Sequence, residues 1–427
     1  LNTVSQSAHS LLNLVNDVLD FSKIEAGKLD LSIEKTDLFE LGSQAIDLIK
    51  FQAQKKNLEV LLNIAPRLPR FVWVDEVRLR QILINLLGNS VKFTEHGEIE
   101  LKIESLNETP YETNFRFSVR DTGMGIPFEN QEKIFEVFAQ GDASTTKRFG
   151  GTGLGLTIAN SLLALMDSKL QLHSEIGIGS TFYFDVVLRS EQGPTTVEEN
   201  IGQLKNILIV DDNVNNRTIL KEMLALKDIN SEQASSGLEA IKLIKSGQRY
   251  DAIIMDYHMP QMDGLETVRQ IKNILPAVEQ PVVLLYSSSD DEQISSLCAE
   301  LDIRQRLVKP AKMDKLFDSL SKLGSKEHLN IPSKKLKLTQ NPTSTIQISP
   351  MTILIAEDNA VNMLLARSII ENLLPNAYIV EAENGLQAVE KFIQERPDIV
   401  FMDIRMPEKN GYEAAMEIRR YEISSEV

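Results

Sequence analysis

The sequence predicts a multidomain chain in which an amphipathic helix leads into an α+β sandwich, followed by two doubly wound α/β domains, the second truncated. Three observations predict it. A segment with mixed helical and strand periods fills residues 33–190, a pattern of strands with helices on one face. Ile207-Leu-Ile-Val-Asp-Asp-Asn213 then recurs as Ile353-Leu-Ile-Ala-Glu-Asp-Asn359, an internal repeat with an offset of 146. Length agrees, because 427 residues at roughly 150 per domain suggest about three domains.

The elements follow in order. In residues 1–27, Leu12, Val15 and Leu19, with Leu11, Val18 and Phe21 one position on, form an apolar stripe at helical spacing, and Gly27 suits a C-cap. A generic core helix explains that stripe when it is taken alone. In residues 28–190, Leu79, Ile82, Leu83, Leu86 and Leu87 mark a helix over 77–91. Strand alternation marks 98–103, 115–119 and 181–187, and a helix follows the glycines of 150–155. Residues 191–204, polar and with a Gly-Pro pair, form a linker. Between its anchors each repeat, 205–321 and 351–427, reads strand–helix–strand–helix–strand. Residues 322–350 join them as a basic tether of five Lys and one Glu, with Pro332, Pro342 and Pro350. The second copy stops short of the length of the first.

Composition excludes several classes. A net charge of −16 opposes non-specific binding of nucleic acid and of anionic membranes. The lone Cys298 rules out a disulfide framework and fits a reducing compartment. No run of 18 apolar residues and no signal peptide are present, and the sequence opens on Leu1, in mid-helix, as if cut from something longer.

Carboxylates carry the first chemistry. Asp211 and Asp212 close the first strand of copy one and Asp256 closes the third, so all three converge beyond the carboxyl ends of a parallel sheet. Such a patch repels itself unless a cation fills it, and a hard, oxygen-preferring ion such as Mg²⁺ suits it. Lys309, before Pro310, adds a fixed positive charge. Carboxylate, metal and ammonium together suit phosphoryl transfer onto an aspartate. A helix cap alone also explains Asp211-Asp212-Asn213, but the repeat at matched spacing favours the metal. These residues resemble the receiver domains of response regulators, a flavodoxin-like fold. The resemblance implies phosphoacceptors at Asp256 and Asp403, which with Asp211, Asp212, Glu357 and Asp358 also hold Mg²⁺, and a phosphate contact at Lys309. Two departures stand out. The family's switching Ser or Thr is Tyr286 here, whose ring cannot make the same short movement, and copy two ends before its switch residue and lysine.

Three segments form a second constellation. Asn85, Asn89 and Lys92 share one helical face. Asp121-Thr-Gly123-Met-Gly125 follows a strand, and Gly150-Gly-Thr-Gly-Leu-Gly155 precedes a helix whose N-terminus could cradle phosphates. Alone, each is weak: the glycines also suit a hinge, and Asp-Thr-Gly occurs once, not as the facing pair of an aspartic protease. In this order they resemble the Bergerat-type ATPase fold shared by histidine kinases, gyrase, Hsp90 and MutL. The resemblance implies that Asn89 coordinates Mg²⁺ on ATP with Asn85 and Lys92 nearby, and that Asp121 binds the adenine amino group. Gly123, Gly125 and Thr181 would shape the base pocket, and Gly151, Gly153, Leu154 and Gly155 the phosphate lid.

The helix over 11–28 resembles the second helix of the dimerisation and phosphotransfer hairpin of sensor histidine kinases, which makes the whole similar to a hybrid histidine kinase. That resemblance implies a cytoplasmic homodimer, and a phosphotransfer protein or response regulator downstream. None of His9, His96, His173, His258 and His328 has the phosphoacceptor context, so the acceptor histidine is expected upstream of Leu1. The fragment alone should bind ATP without phosphorylating itself. A nucleotide-gated docking scaffold and an ATP-driven clamp are the competing classes.

Overall fold

The computed structural model of the chain describes residues 22–24, 26–109, 111–136, 154–193, 204–274, 282–286, 291–324, 351–374, 377–404 and 406–424. The helical stripe of 11–21, His9 and most of the linkers lie outside the described residues. Gly27 turns left-handed at φ +63°, its N–H donating to the Ile24 carbonyl, as a C-cap requires. Two compact units divide between residues 331 and 332.

The first unit opens with a seven-stranded sheet backed by three helices. Its strands are β1 (Glu34–Asp37), β2 (Glu59–Ile64), β3 (Phe71–Val74), β4 (Glu98–Glu108), β5 (Glu112–Asp121), β6 (Gln171–Glu175) and β7 (Gly179–Glu191). They run in the order β1-β3-β7-β5-β4-β2, with β6 also paired to β7. The helices are α1 (Leu38–Lys55), α2 (Glu76–Phe93) and α3 (Gly155–Ala164). Alternation along β5 buries Phe115, Phe117 and Val119 on the helix side, and the same period carries Asp121 inward at the strand's end. Phe117 stacks on Phe184 of β7 with centroids 5.1 Å apart. Each such side chain contributes about 1.5–3 kcal/mol of burial. The alternate face of the sheet is polar, where Arg116 pairs with Asp185 at 2.7 Å. Asp75 caps α2, accepting from Arg78 N at 3.0 Å, and Lys56 closes its far end by donating to the Val91, Lys92 and Thr94 carbonyls.

A parallel five-stranded sheet follows in the same unit: β8 (Asn206–Val210), β9 (Asn230–Ala234), β10 (Ala252–Asp256), β11 (Val282–Tyr286) and β12 (Gln305–Val308). The order β12-β11-β10-β8-β9 is the flavodoxin-like doubly wound arrangement. Helices α4 (Val214–Ala225), α5 (Gly237–Lys245), α6 (Gly264–Ile274), α7 (Asp291–Glu300) and α8 (Met313–Gly324) alternate with these strands. The central strands β8, β10 and β11 are largely apolar because both faces are covered, as in Ala252–Asp256, where every residue is buried, whereas the edge strands β9 and β12 carry polar residues. Helix α8 runs to Gly324, slightly into the stretch expected to be tether, since buried Leu316 and Leu320 anchor its apolar face.

The second unit repeats the beginning of that pattern. Strands β13 (Thr352–Ala356), β14 (Tyr378–Ala382) and β15 (Ile399–Met402) pair in the order β14-β13-β15, with helices α9 (Ala360–Leu373), α10 (Gly385–Glu395) and α11 (Gly411–Ser424). Among the described residues no helix is long and apolar enough to cross a membrane.

Candidate functional site

The end of β5 organises one site. Asp121 is buried, and its carboxylate accepts from Gly123 N at 2.9 Å, Ser180 N at 3.3 Å and Ser90 Oγ at 3.3 Å. Burial pushes the carboxyl up, against those donors and Arg120, which pull it down. The loop after it is compressed against its neighbours. Gly125 has φ +71°, and a Cβ there would lie 2.1 Å from the Glu175 carbonyl oxygen. Ser174 holds the same loop from below, accepting from Ile126 N at 2.8 Å and meeting Ser180 Oγ at 2.9 Å. Gln131 donates to the Ile126 and Ser174 carbonyls.

On α2, the spacing of Asn85, Asn89 and Lys92 places them on one half-buried face. Asn85 donates to the Gly155 carbonyl at 3.2 Å, which ties α2 to the start of α3. Burial pushes Lys92 down, and its ammonium lies over the Phe93 ring. Leu154 is buried and precedes α3; Thr181 pairs with Arg120 across β7 and β5. Gly151 and Gly153 lie outside the described residues. The structure thus joins α2, the β5 loop and the start of α3 around one face. Ser90, Ser174, Ser180 and Gln131 escaped sequence reading because isolated serines carry no spacing signal; their role appears only once β6 and β7 pair.

The second site lies at the carboxyl end of the five-stranded sheet. Asp211, Asp212 and Asp256 each bring a carboxylate oxygen within 4.8 Å of the others, as do Glu357, Asp358 and Asp403 in the second unit. All-oxygen sets of this kind fit Mg²⁺. Asp211 and Asp256 are buried, whereas Glu357, Asp358 and Asp403 are more open. Lys309 bonds Asp256 at 2.9 Å, Asp211 at 3.0 Å and Glu59 of β2 at 3.3 Å. Burial alone would lower the Lys309 ammonium, but the three carboxylates hold it above its ordinary value. Burial pushes Asp256 up to about 7; Lys309 opposes this, while Asp211 and Glu59 add to it. Gly264 lies against Asp256, where a Cβ would stand 2.1 Å from its carbonyl oxygen. Asn213 caps α4, accepting from Asn215 N at 2.8 Å, which leaves Asp211 and Asp212 outside the cap and beside Asp256. Tyr286, expected at the switch position, is buried at the end of β11. Sequence reading missed Glu59 and Glu98, which meet the receiver only in the folded chain.

The chain thus carries a mixed sheet backed by helices around a buried carboxylate, followed in sequence by parallel sheets with acidic carboxyl ends, a combination that suits nucleotide and divalent-metal chemistry. Comparison with known proteins makes the class specific. Residues 74–190 match the histidine kinase-, DNA gyrase B-, and HSP90-like ATPase family, and residues 207–321 and 353–427 match the response regulator receiver domain. The signal transduction histidine-protein kinase BarA of Escherichia coli K12 is 30% identical over 429 residues, 97% of this chain and 44% of that protein. The sensory/regulatory protein RpfC of Xanthomonas campestris is 32% identical over 382 residues, 82% of this chain and 51% of that protein. The crystal structure of full-length ShkA in complex with AMPPNP is similar with a TM-score of 0.62 and 27% identity, covering 97% of this chain and 81% of that one. The chain belongs to the hybrid sensor histidine kinases, with an ATPase domain followed by receiver domains. It spans about half the length of the curated relatives named here.

Proposed function

We propose that this chain is the catalytic and receiver portion of a protein histidine kinase, with working units at 28–190, 205–321 and 351–427. Asp121 reads the adenine amino group, in a pocket shaped by Gly123, Gly125 and Thr181. Asn85, Asn89 and Lys92 face the triphosphate, with Asn89 offering an oxygen to its Mg²⁺, and Gly151, Gly153, Leu154 and Gly155 close over the phosphates. The γ-phosphoryl goes to a histidine on a hairpin upstream of Leu1, which also makes the homodimer, and then to Asp403. Asp256 is the corresponding acceptor of the first receiver. Glu357 and Asp358, like Asp211 and Asp212, hold Mg²⁺, which supplies neutralisation of charge on the transferring oxygens. Lys309 holds a phosphate oxygen in the first receiver. A phosphotransfer protein or response regulator stands downstream, and the site of action is cytoplasmic.

The observation that carries this reading is the buried carboxylate of Asp121, fixed by three donors at the end of a central strand. AMPPNP in the ShkA complex, a relative's ligand, supports the same choice of nucleotide. Titration calorimetry with ATP and Mg²⁺ tests it. Asp121→Asn should weaken binding by on the order of 1.5–3 kcal/mol, about 10–100-fold. Equal affinity in the variant would refute the assignment. A second reading, a docking scaffold, is favoured for the first receiver by Tyr286.

A further inference from the structure

The seam between the ATPase sandwich and the first receiver carries groups that neither role above uses. Strand β2 is an edge strand, which presents unpaired backbone and needs cover. Its first residue, Glu59, accepts from Asn213 at 2.6 Å and Asn216 at 2.5 Å, besides meeting Lys309. Glu98, its register partner on β4, accepts from Asn213 and Asn215, each at 2.7 Å, while Arg120 holds it from the sheet. Two carboxylates therefore rest on the N-terminal turn of α4, where helix amides favour negative charge. Leu61, fully buried, packs in one cluster with Ile219, Leu220 and Leu285 of the receiver. Lys312 with Asp47 and Arg70 with Asp314 add ion pairs at the rim.

The second receiver differs at these positions. Asn359 and Asn362 stand where copy one has Asn213 and Asn216, but Asn362 donates to Glu357 of its own cluster at 3.0 Å. Val361 stands at the position of Asn215.

We propose that Glu59 and Glu98 make the first receiver a phosphorylation-sensitive latch on the ATPase domain, a phosphoryl group on Asp256 and the docked glutamates excluding one another. The latch rests on the reading of Asp256 as acceptor. Lys309 is the shared contact, since one ammonium serves Asp256, Asp211 and Glu59. In the transfer, an Asp256 carboxylate oxygen attacks the phosphorus of a phosphohistidine. The P–O bond forms as the P–N bond breaks, and the imidazole leaves with the electron pair and takes a proton from water. The product carries about two negative charges where a carboxylate carried one. It claims Lys309, and Glu59 loses its counter-ion while gaining a like-charged neighbour. A cavity of about 410 Å³ opens at the seam, lined by Lys50, Asn57, Glu59, Asp212, Asp256 and Lys309 among others.

Hydrogen exchange of the intact chain tests the latch, read at residues 58–64 of the ATPase domain. Beryllium fluoride with Mg²⁺ serves as the phosphoryl mimic, Mg²⁺ alone as the baseline, and bound ¹⁹F resonances report loading. On loading, the 58–64 amides should exchange at least about fivefold faster. Glu59→Gln should expose them without the probe and load at lower fluoride. Loading of Glu59→Gln but not of the parent chain would be the strongest form of the same result. A loaded parent chain with unchanged protection overturns the latch, as does Glu59→Gln with unchanged protection and loading. Absence of bound ¹⁹F signal in both chains overturns the acceptor assignment itself, and the latch with it.

Discussion

Asp256 concentrates opposed forces in one side chain. Burial lifts its carboxyl, Lys309 pulls it down, and Asp211 and Glu59 lift it again, leaving it at about 7. Unfolded, an aspartate titrates near about 3.9, so between those values the folded chain binds more protons than the unfolded one. Stability of the first receiver therefore falls as pH rises from about 4 to about 7, and stays reduced above that. Asp256→Asn removes the buried charge. In the absence of divalent metal it should stabilise this domain at pH 7.5 by on the order of 1–2 kcal/mol, about 4–8 °C in Tm per kcal/mol. At pH 4 the gain should vanish. A gain of the same size at both pH values would show that the ionised carboxylate is not its source.

Among the elements, α2 bears both packing and chemistry. Leu79, Ile82, Leu83, Leu86 and Leu87 are fully buried, and the polar face between them carries Asn85, Asn89 and Lys92. Leu83→Ala should cost about 2–5 kcal/mol in chemical denaturation, and Asp75→Ala about 1 kcal/mol through the lost cap. A loss under about 1 kcal/mol for Leu83→Ala would mean that α2 is not clamped on the sheet. The same helix marks where a sequence can be read. Its 3.6-residue apolar period was legible, as were the alternation of β5 and the repeated acidic turns, because each is a local pattern with one physical cause. The short strands β1 and β3 carry too few residues to declare a period. Glu59 was illegible for another reason, since its partners Asn213, Asn216 and Lys309 lie far along the chain, and only docking makes it part of the site. At Asp211-Asp212-Asn213 the cap falls to Asn213 alone, which leaves the two aspartate carboxylates facing Asp256 at the end of the sheet.

At the scale of the whole chain, the two compact units have separate cores, Leu354, Ala356 and Ala382 lying in the second. Separate cores unfold as separate cooperative transitions. Calorimetry should show more than one transition, and a non-hydrolysable ATP analogue at about 100 times its Kd should stabilise the first unit by about 2.7 kcal/mol. A ligand-induced shift confined to the second unit would contradict a nucleotide site on the ATPase sandwich. Net charge acquires a local meaning as well. Part of the −16 is held in two acidic triads and, at the seam, in Glu59 and Glu98, which accept from asparagines and pair with Lys309 and Arg120.

Phosphoryl transfer tests the central claim most directly. The chain, mixed with γ-labelled ATP, Mg²⁺ and a separately expressed hairpin bearing the upstream histidine, should label that histidine in an acid-labile, base-stable form. Label should then pass to Asp403 and be lost from the chain in Asp403→Asn. Binding of ATP with no label on the hairpin histidine would contradict the kinase assignment for this chain.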